Sequence, residues 1–317
     1  MSLLSRRDAL ASAAALSLSG LLPARAADAT LRIGVQKSST LMILLRSRGM
    51  LEKALAPQQI GVQWHEFTSG LPLLEALNLG NLDLSADVAD AVPPFALAAG
   101  AKLTYFAIET PSPQAQAIVV RKDSPITSVA QLKGQKVAFA KGAGAHYLLI
   151  EALARHGLSI KDVQPAYLTP ADARAAFESG SVAAWVIWDP FLAAVERQAG
   201  ARLLKDGQGL SNYRRFYLAA TPYAKAHPQV LSVVFDELQR AGQWVKKNPA
   251  EAAAWHAPLI GLDAPTVDAA NQRRSYDVRP VDAAAIEEQQ RIADAFTQAQ
   301  VLPRKVAVAE SPVWRPV

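Results

Sequence analysis

Two hydrophobic periods take turns along this chain. Short runs with strand-like character, at 31–35, 62–67, 82–86, 117–120, 137–140, 182–187 and 216–219, are separated by stretches whose apolar residues recur three or four apart. Helices are predicted at 42–55, 72–79, 93–99, 190–199, 228–246 and 283–299. Strands alternating with helices in this way argue for an α/β fold with mixed, mostly parallel sheets flanked by helices.

The pattern also repeats. Leu74-Glu75-Ala76-Leu77 leads to Gly80, a strand, a loop, a helix from Pro93 and then Gly100-Ala101. Arg174-Ala175-Ala176-Phe177 leads to Gly180, a strand, a loop, a helix from Pro190 and then Gly200-Ala201. The glycines fall at equal offsets, which argues for two lobes built on one plan. Thr110-Pro111-Ser112-Pro113 and Asp206-Gly207-Gln208-Gly209 each precede an apolar strand. They place the crossings between lobes near 116–120 and 213–219. One lobe is then 27–117 with 214–317, and 118–213 is inserted into it. Two short crossings make a hinge. The helical tail beyond 222 is expected to pack on the first lobe.

The N-terminus changes the picture of where this protein works. Arg6 and Arg7 precede an apolar or small-residue run at 9–22, too short to span a bilayer, and then Ala24-Arg25-Ala26. Charge, apolar core and a small-x-small site in that order read as an export signal, 1–26, removed near Ala26. Ser5-Arg6-Arg7 is also compatible with twin-arginine export. Export from the cytoplasm is expected. The sequence contains no cysteine, so the core must hold the fold without disulfides. The formal charge of +5 is spread along the chain rather than clustered, which argues against nucleic acid as a partner.

Two segments carry the candidate chemistry. Gln36, Lys37, Ser38, Ser39 and Thr40 follow one strand, and Lys141-Gly142-Ala143-Gly144-Ala145-His146 follow another; each opens a helical stretch. A strand turning through small residues into a helix leaves N–H groups unpaired and adds the positive end of the helix dipole. That is an anion site in waiting. Taken alone, the first segment is better explained by ordinary N-capping, and a plain strand–helix turn explains the second equally well. Asp87-Val88-Ala89-Asp90 sits at a strand's C-terminal end, where open α/β sheets bind ligands; capping of the next helix by Asp90 is the alternative. Trp185 and Trp188 point to opposite strand faces, Trp185 to the core and Trp188 to a pocket wall. Asp189 either holds the lobes closed or accepts from a ligand amine. Glu109 ends another strand, as a ligand contact, a surface carboxylate or a hinge ion pair. His65, His156, His227 and His256 lack metal spacing, so neither a metal nor a cofactor is expected.

The chain resembles the periplasmic aliphatic-sulfonate-binding proteins of ABC importers, a group with taurine-, nitrate- and thiamine-precursor-binding members. The likeness rests on Trp64-His65-Glu66-Phe67-Thr68-Ser69-Gly70, Leu74-Glu75-Ala76-Leu77-Asn78-Leu79-Gly80, Lys133-Gly134-Gln135-Lys136-Val137-Ala138, Ala184-Trp185-Val186-Ile187-Trp188-Asp189-Pro190-Phe191 and Arg274-Ser275-Tyr276-Asp277-Val278-Arg279-Pro280. It implies a type II periplasmic-binding fold with the ligand in the interlobe cleft. It carries a binding role onto Gln36, Ser38, Ser39, Thr40, Asp87, Val88, Ala89, Asp90, Gly144, Ala145, His146, Trp188 and Asp189. The third loop departs from the family's Gly-Asp and Pro-Pro pattern: Val88-Ala89-Asp90-Ala91-Val92-Pro93-Pro94 stands there, which bears on ligand identity more than on fold. The implied function is a monomeric receptor that hands a small anionic organic solute, a sulfonate, to an ABC permease. Taurine, nitrate, a sulfate ester or a pyrimidine precursor are the alternatives within the fold. The group's desulfinase branch uses a cysteine nucleophile, which this chain lacks, so a binder rather than an enzyme is expected.

Overall fold

The computed structural model describes residues 29–316, so the expected export segment lies outside the described residues. The first strand, β1 (Ala29–Gln36), runs parallel to β2 (Ile60–Phe67) along its whole length and to β3 (Leu84–Ser85) on its other side. Leu31, Ile33 and Val35 turn from it into the core. The single helix expected over 42–55 is in fact two, α1 (Thr40–Ser47) and α2 (Met50–Leu55). Gly49 separates them at φ 59, a left-handed conformation that glycine adopts at no steric cost. Then come α3 (Gly70–Asn78), β4 (Val88–Ala89), α4 (Val92–Ala98) and β5 (Leu103–Glu109). The strand expected over 82–86 pairs only as the short β3, because the chain then turns to pair β4 with a later strand.

A second sheet follows: β6 (Gln116–Val120), β7 (Lys136–Phe139), α5 (Gly144–Ala154), β8 (Gln164–Tyr167), α6 (Pro170–Glu178), β9 (Ala184–Trp188), α7 (Phe191–Gln198) and β10 (Arg202–Asp206). The chain returns with β11 (Arg215–Ala220), then α8 (Thr221–Ala226), α9 (Pro228–Lys247), α10 (Pro249–Ile260), α11 (Ala264–Gln272), β12 (Val278–Arg279) and α12 (Ala283–Gln298). The larger sheet has the order β12-β5-β11-β3-β1-β2, with β4 beside β11; the smaller is β10-β6-β9-β7-β8. Each is mixed. Three parallel strands, β3-β1-β2 and β9-β7-β8, are extended by antiparallel ones.

The internal echo is visible in three dimensions. The helices α3 and α6 both end before a glycine in the left-handed region, Gly80 at φ 76 and Gly180 at φ 78. The helices α4 and α7 do the same with Gly100 at φ 86 and Gly200 at φ 61. In each unit the strand between the paired helices lies parallel beside the first strand of that unit, β3 on β1 and β9 on β7.

The chain passes between sheets at 110–115 and 207–214, in the loops ahead of β6 and β11 rather than within those strands. Ladder hydrogen bonds commit β6 and β11 to their sheets from the first residue. The two passages are tied together: Ser112 N–H donates to the Asn212 carbonyl (2.9 Å) and Gly207 N–H to that of Pro113 (3.0 Å). The tail does not pack on the larger sheet's layer alone. Its long helix α9 lies on α1 and α2, but α11 lies on α7, which follows β9. Gly261, at φ 72, turns the chain after α10 and sends α11 back across the boundary. Phe296 of α12 meets Phe95 at 4.9 Å and His146 at 5.3 Å, again one contact on each side. No helix among the described residues is long and apolar enough to cross a membrane.

Candidate ligand-binding cleft

A cleft of about 830 Å³ opens between the two sheets. Gln36, Lys37, Ser38, Ile43 and Phe67 line it from the larger-sheet side, and Thr169, Pro170, Arg174, Pro190 and Phe191 from the other. Leu259, Ile260 and Leu262, at the α10–α11 turn, form a third wall.

The first segment singled out in the sequence forms the floor. As β1 ends, Ser39 N–H donates to the Gln36 carbonyl (2.8 Å), and α1 starts at Thr40 with no acidic residue in its first turn. The opening N–H groups of that helix have no acceptor within it and carry the positive end of its dipole. Lys37 and Ser38 stand at the cleft edge. The side chains behind them are tied down. Gln36 Nε2 donates to the Asp87 carbonyl (2.8 Å), the Thr40 hydroxyl lies 3.1 Å from that of Tyr276, and the Ser38 carbonyl accepts from Arg274 (2.6 Å). Ser39 is buried beside Asp87.

The opposite wall is a different helix start from the one expected. It is the start of α6, where Thr169 caps by accepting from Asp172 N–H (3.3 Å) and Pro170 opens the first turn. Thr-Pro-x-Asp is a helix-start signature that the sequence carries at 169–172. The glycine-rich segment instead faces an interior layer. A Cβ on Gly144 would stand 2.5 Å from the Tyr213 ring and 3.1 Å from Gln116 Oε1. Ala145 and His146 are fully buried. The His146 Nδ1 accepts from Gly142 N–H (3.3 Å), and its ring packs on Phe139 at 4.8 Å. Burial first, and Lys141 second, push it down to about 4, so it is a neutral core histidine. Gly144, Ala145 and His146 therefore do not line the cleft, because the tail and the second passage cover them.

The two turns are nonetheless connected. Asp87, next to Ser39, accepts from Arg215 Nη1 (2.7 Å); Arg215 lies over the Tyr213 ring at 5.2 Å; and Tyr213 covers Gly144. They approach one buried layer from opposite sides, with Arg215 and Tyr213 between them. Tyr213 holds φ 48, rarely adopted by an aromatic residue.

Among the remaining residues, Val88 and Ala89 pair with β11 and are buried. Trp188 is buried edge-on against Phe191 at 6.1 Å, so it backs the cleft wall rather than forming it. Glu109 is neither exposed nor turned to the cleft: it accepts from Arg274 (2.6 Å) and from the Tyr217 hydroxyl (2.7 Å). Asp189 accepts from Ala193 N–H (3.0 Å) and from Arg273 (3.4 Å). Burial, opposed by Arg273, raises its carboxyl to about 7. Arg274 and Arg215 share Asp87, with Arg274 at 2.9 Å, so two arginines and two carboxylates make a balanced buried group. Burial pushes the Asp87 carboxyl up, and both arginines oppose it. No group of His, Asp and Glu among the described residues could hold a metal ion.

Asp90 does not cap the next helix; Ala91 stands at that position. Its Oδ2 accepts from Arg214 N–H (3.1 Å), and burial, then Glu288, raise it to about 8. A folded-state pKa above the unfolded one means a proton held on folding. Stability is full below about pH 4, the unfolded carboxylate value, and declines as pH rises toward 8. Asp90→Asn is expected to flatten this decline by up to ~1.4 kcal/mol per pH unit, read from urea midpoints at several pH values. Parallel pH profiles for the two proteins would refute it.

The NMT1/THI5 like family profile matches residues 60–252. The aliphatic sulfonates-binding protein of Escherichia coli (strain K12) is 42% identical over 309 residues, 95% of this chain and 96% of its own. The alkanesulfonate-binding protein of Xanthomonas axonopodis pv. citri, solved bound to MOPS, superposes with a TM-score of 0.85 at 40% identity, covering 89% of this chain and 96% of that one. The crystal structure of the periplasmic aliphatic sulphonate binding protein from E. coli gives 0.82 at 42%, covering 91% and 92%.

Proposed function

Because the chain belongs to the aliphatic-sulfonate-binding family, we propose that it is a periplasmic receptor that binds an aliphatic sulfonate between two lobes and delivers it to an ABC permease. The observation that carries this reading is the whole-chain likeness to a protein solved with the sulfonate MOPS bound. The lobes divide at the two passages, 110–115 and 207–214, with the segment between them inserted into the first lobe; the chain acts as a monomer after its export signal is removed near Ala26.

The cleft suits such a guest. A sulfonate is permanently anionic and has three acceptor oxygens. On this reading it sits at the start of α1, where Ser38 and the first N–H groups supply donors and Lys37 a charge, with Ser39 and Thr40 buried behind them. The start of α6 faces it. Charge-assisted hydrogen bonds are about twice as strong as neutral ones, so a dedicated counter-charge is unnecessary. Asp90, protonated below about pH 8, adds no repulsion. The organic tail lies along Ile43, Phe67, Phe191 and Leu262. A ligand that touches both lobes favours their closed arrangement, since only differential contact shifts such a balance. No cysteine nucleophile is present for the desulfinase chemistry known on this fold, and we read the protein as a binder.

Calorimetric titration with butanesulfonate, MOPS, taurine, nitrate and sulfate tests the reading. Butanesulfonate and MOPS are expected to bind, and sulfate and nitrate to fall at least tenfold behind. Binding of nitrate or sulfate without any binding of the sulfonates would overturn it.

A further inference from the structure

Arg273 and Arg274 are neighbours that reach in opposite directions. Arg274 is fastened to the first lobe, donating to Glu109, Asp87 and the Ser38 carbonyl, and is only 3% exposed. Arg273 reaches the second lobe, where it donates to Asp189, at the end of β9, and to Glu196 on α7. Asp189 is itself fixed, because its Oδ1 also caps α7 through Ala193 N–H at 3.0 Å. The helix preceding the arginines, α11, packs on α7, and a gap of only about 10 Å³ separates Ser38 and Thr40 from Asp189 and Pro190. The same two elements carry cleft walls: α7 supplies Phe191 and Ala194, and the α10–α11 turn supplies Leu262.

We infer that Arg273 is an interlobe clasp, a positioning residue that holds α7 against the α10–α11 hairpin and so narrows the cleft before any ligand arrives. This rests on the two-lobed receptor reading above. A planar guanidinium suits the role, since its fork serves two carboxylates at once. A cleft already narrowed leaves less closure for the ligand to drive, and apparent affinity rises with the fraction of closed molecules.

The chain lacks cysteine, so two can be introduced for spin labels without background. Ser47 and Ala175 are exposed on α1 and α6, helices on opposite sides of the cleft. In the ligand-free S47C/A175C protein, electron–electron distances are expected to cluster at the narrowed value. Adding Arg273→Gln should shift them to longer, broader distances, and Glu196→Gln, which removes one arm of the clasp, should shift them partway. MOPS affinity in Arg273→Gln should fall roughly tenfold, a typical coupling magnitude, mainly through faster release. Distances unchanged by Arg273→Gln in a protein that still melts cooperatively would overturn the clasp. Failure of MOPS to bind the parent would count against the sulfonate reading alone, because the ligand-free distances are judged without it.

Discussion

Arg274→Met is expected to lose about 3–5 kcal/mol of stability, the cost of removing one partner from a buried charge group. Asp87 and Glu109 would remain at 0% and 1% exposure with a cation missing from between them. Arg215 still reaches Asp87, but Glu109 keeps only the Tyr217 hydroxyl among the partners described above. The melting temperature should drop on the order of 10 °C. The loss has a definite pH signature. Burial already pushes the Asp87 carboxyl up and Arg274 opposes it, so without Arg274 it titrates higher still in the folded state, the fold favours its protonated form, and the penalty shrinks as pH falls. The gap between variant and parent, measured by urea denaturation, should be widest near pH 8 and narrow toward pH 5. A gap independent of pH would show that lost packing, not stranded charge, sets the cost.

Gly242→Ala is the second large effect. Alanine normally improves a helix interior by up to ~1 kcal/mol over glycine. Here Gly242 faces the Tyr276 carbonyl, and a Cβ would stand 2.2 Å from that oxygen. The obstacle is backbone, so no side chain can swing aside. Tyr276 is also constrained, at φ 50, with its hydroxyl donating to Asn271 Oδ1 (2.6 Å) and lying 3.1 Å from the Thr40 hydroxyl. Moving it disturbs the start of α1 and the arginine pair together. A loss at the upper end of ~1–3 kcal/mol is expected, with weaker MOPS binding in the molecules that remain folded. A Gly242→Ala protein as stable as its parent in guanidinium would show that α9 can slide off Tyr276 freely.

The strand–helix alternation and the repeated glycines were legible because local periodicity and left-handed turns leave direct marks on sequence. The Gly49 break was visible as a residue but not as a break, since an isolated glycine within a helical pattern is usually tolerated. The site was legible in half. Gln36, Lys37 and Ser38 do line one side of the cleft, with Ser39 and Thr40 buried behind them. The wall opposite was assigned to Gly144, Ala145 and His146, because a glycine-rich turn resembles an anion site whether or not anything covers it. What covers it is Tyr213, about 70 residues on and delivered by the second passage, and no local pattern reports that. Glu109 stayed open between a ligand contact, a surface carboxylate and a hinge ion pair for the same reason. Its partner Arg274 is separated from it by 165 positions, and a buried ion pair looks like a surface carboxylate until the tail is in place.

The position of β11 sets an order of assembly. It lies between β5 and β3, so the larger sheet stays split until residues 215–220 arrive. The smaller sheet needs nothing beyond residue 206, and its outer strand β10 pairs with its first, β6. When the polypeptide emerges amino end first, the inserted unit can therefore be complete while its host is still waiting for its central strand. The host must then form around a finished guest, through contacts distant in sequence, the slow kind to make.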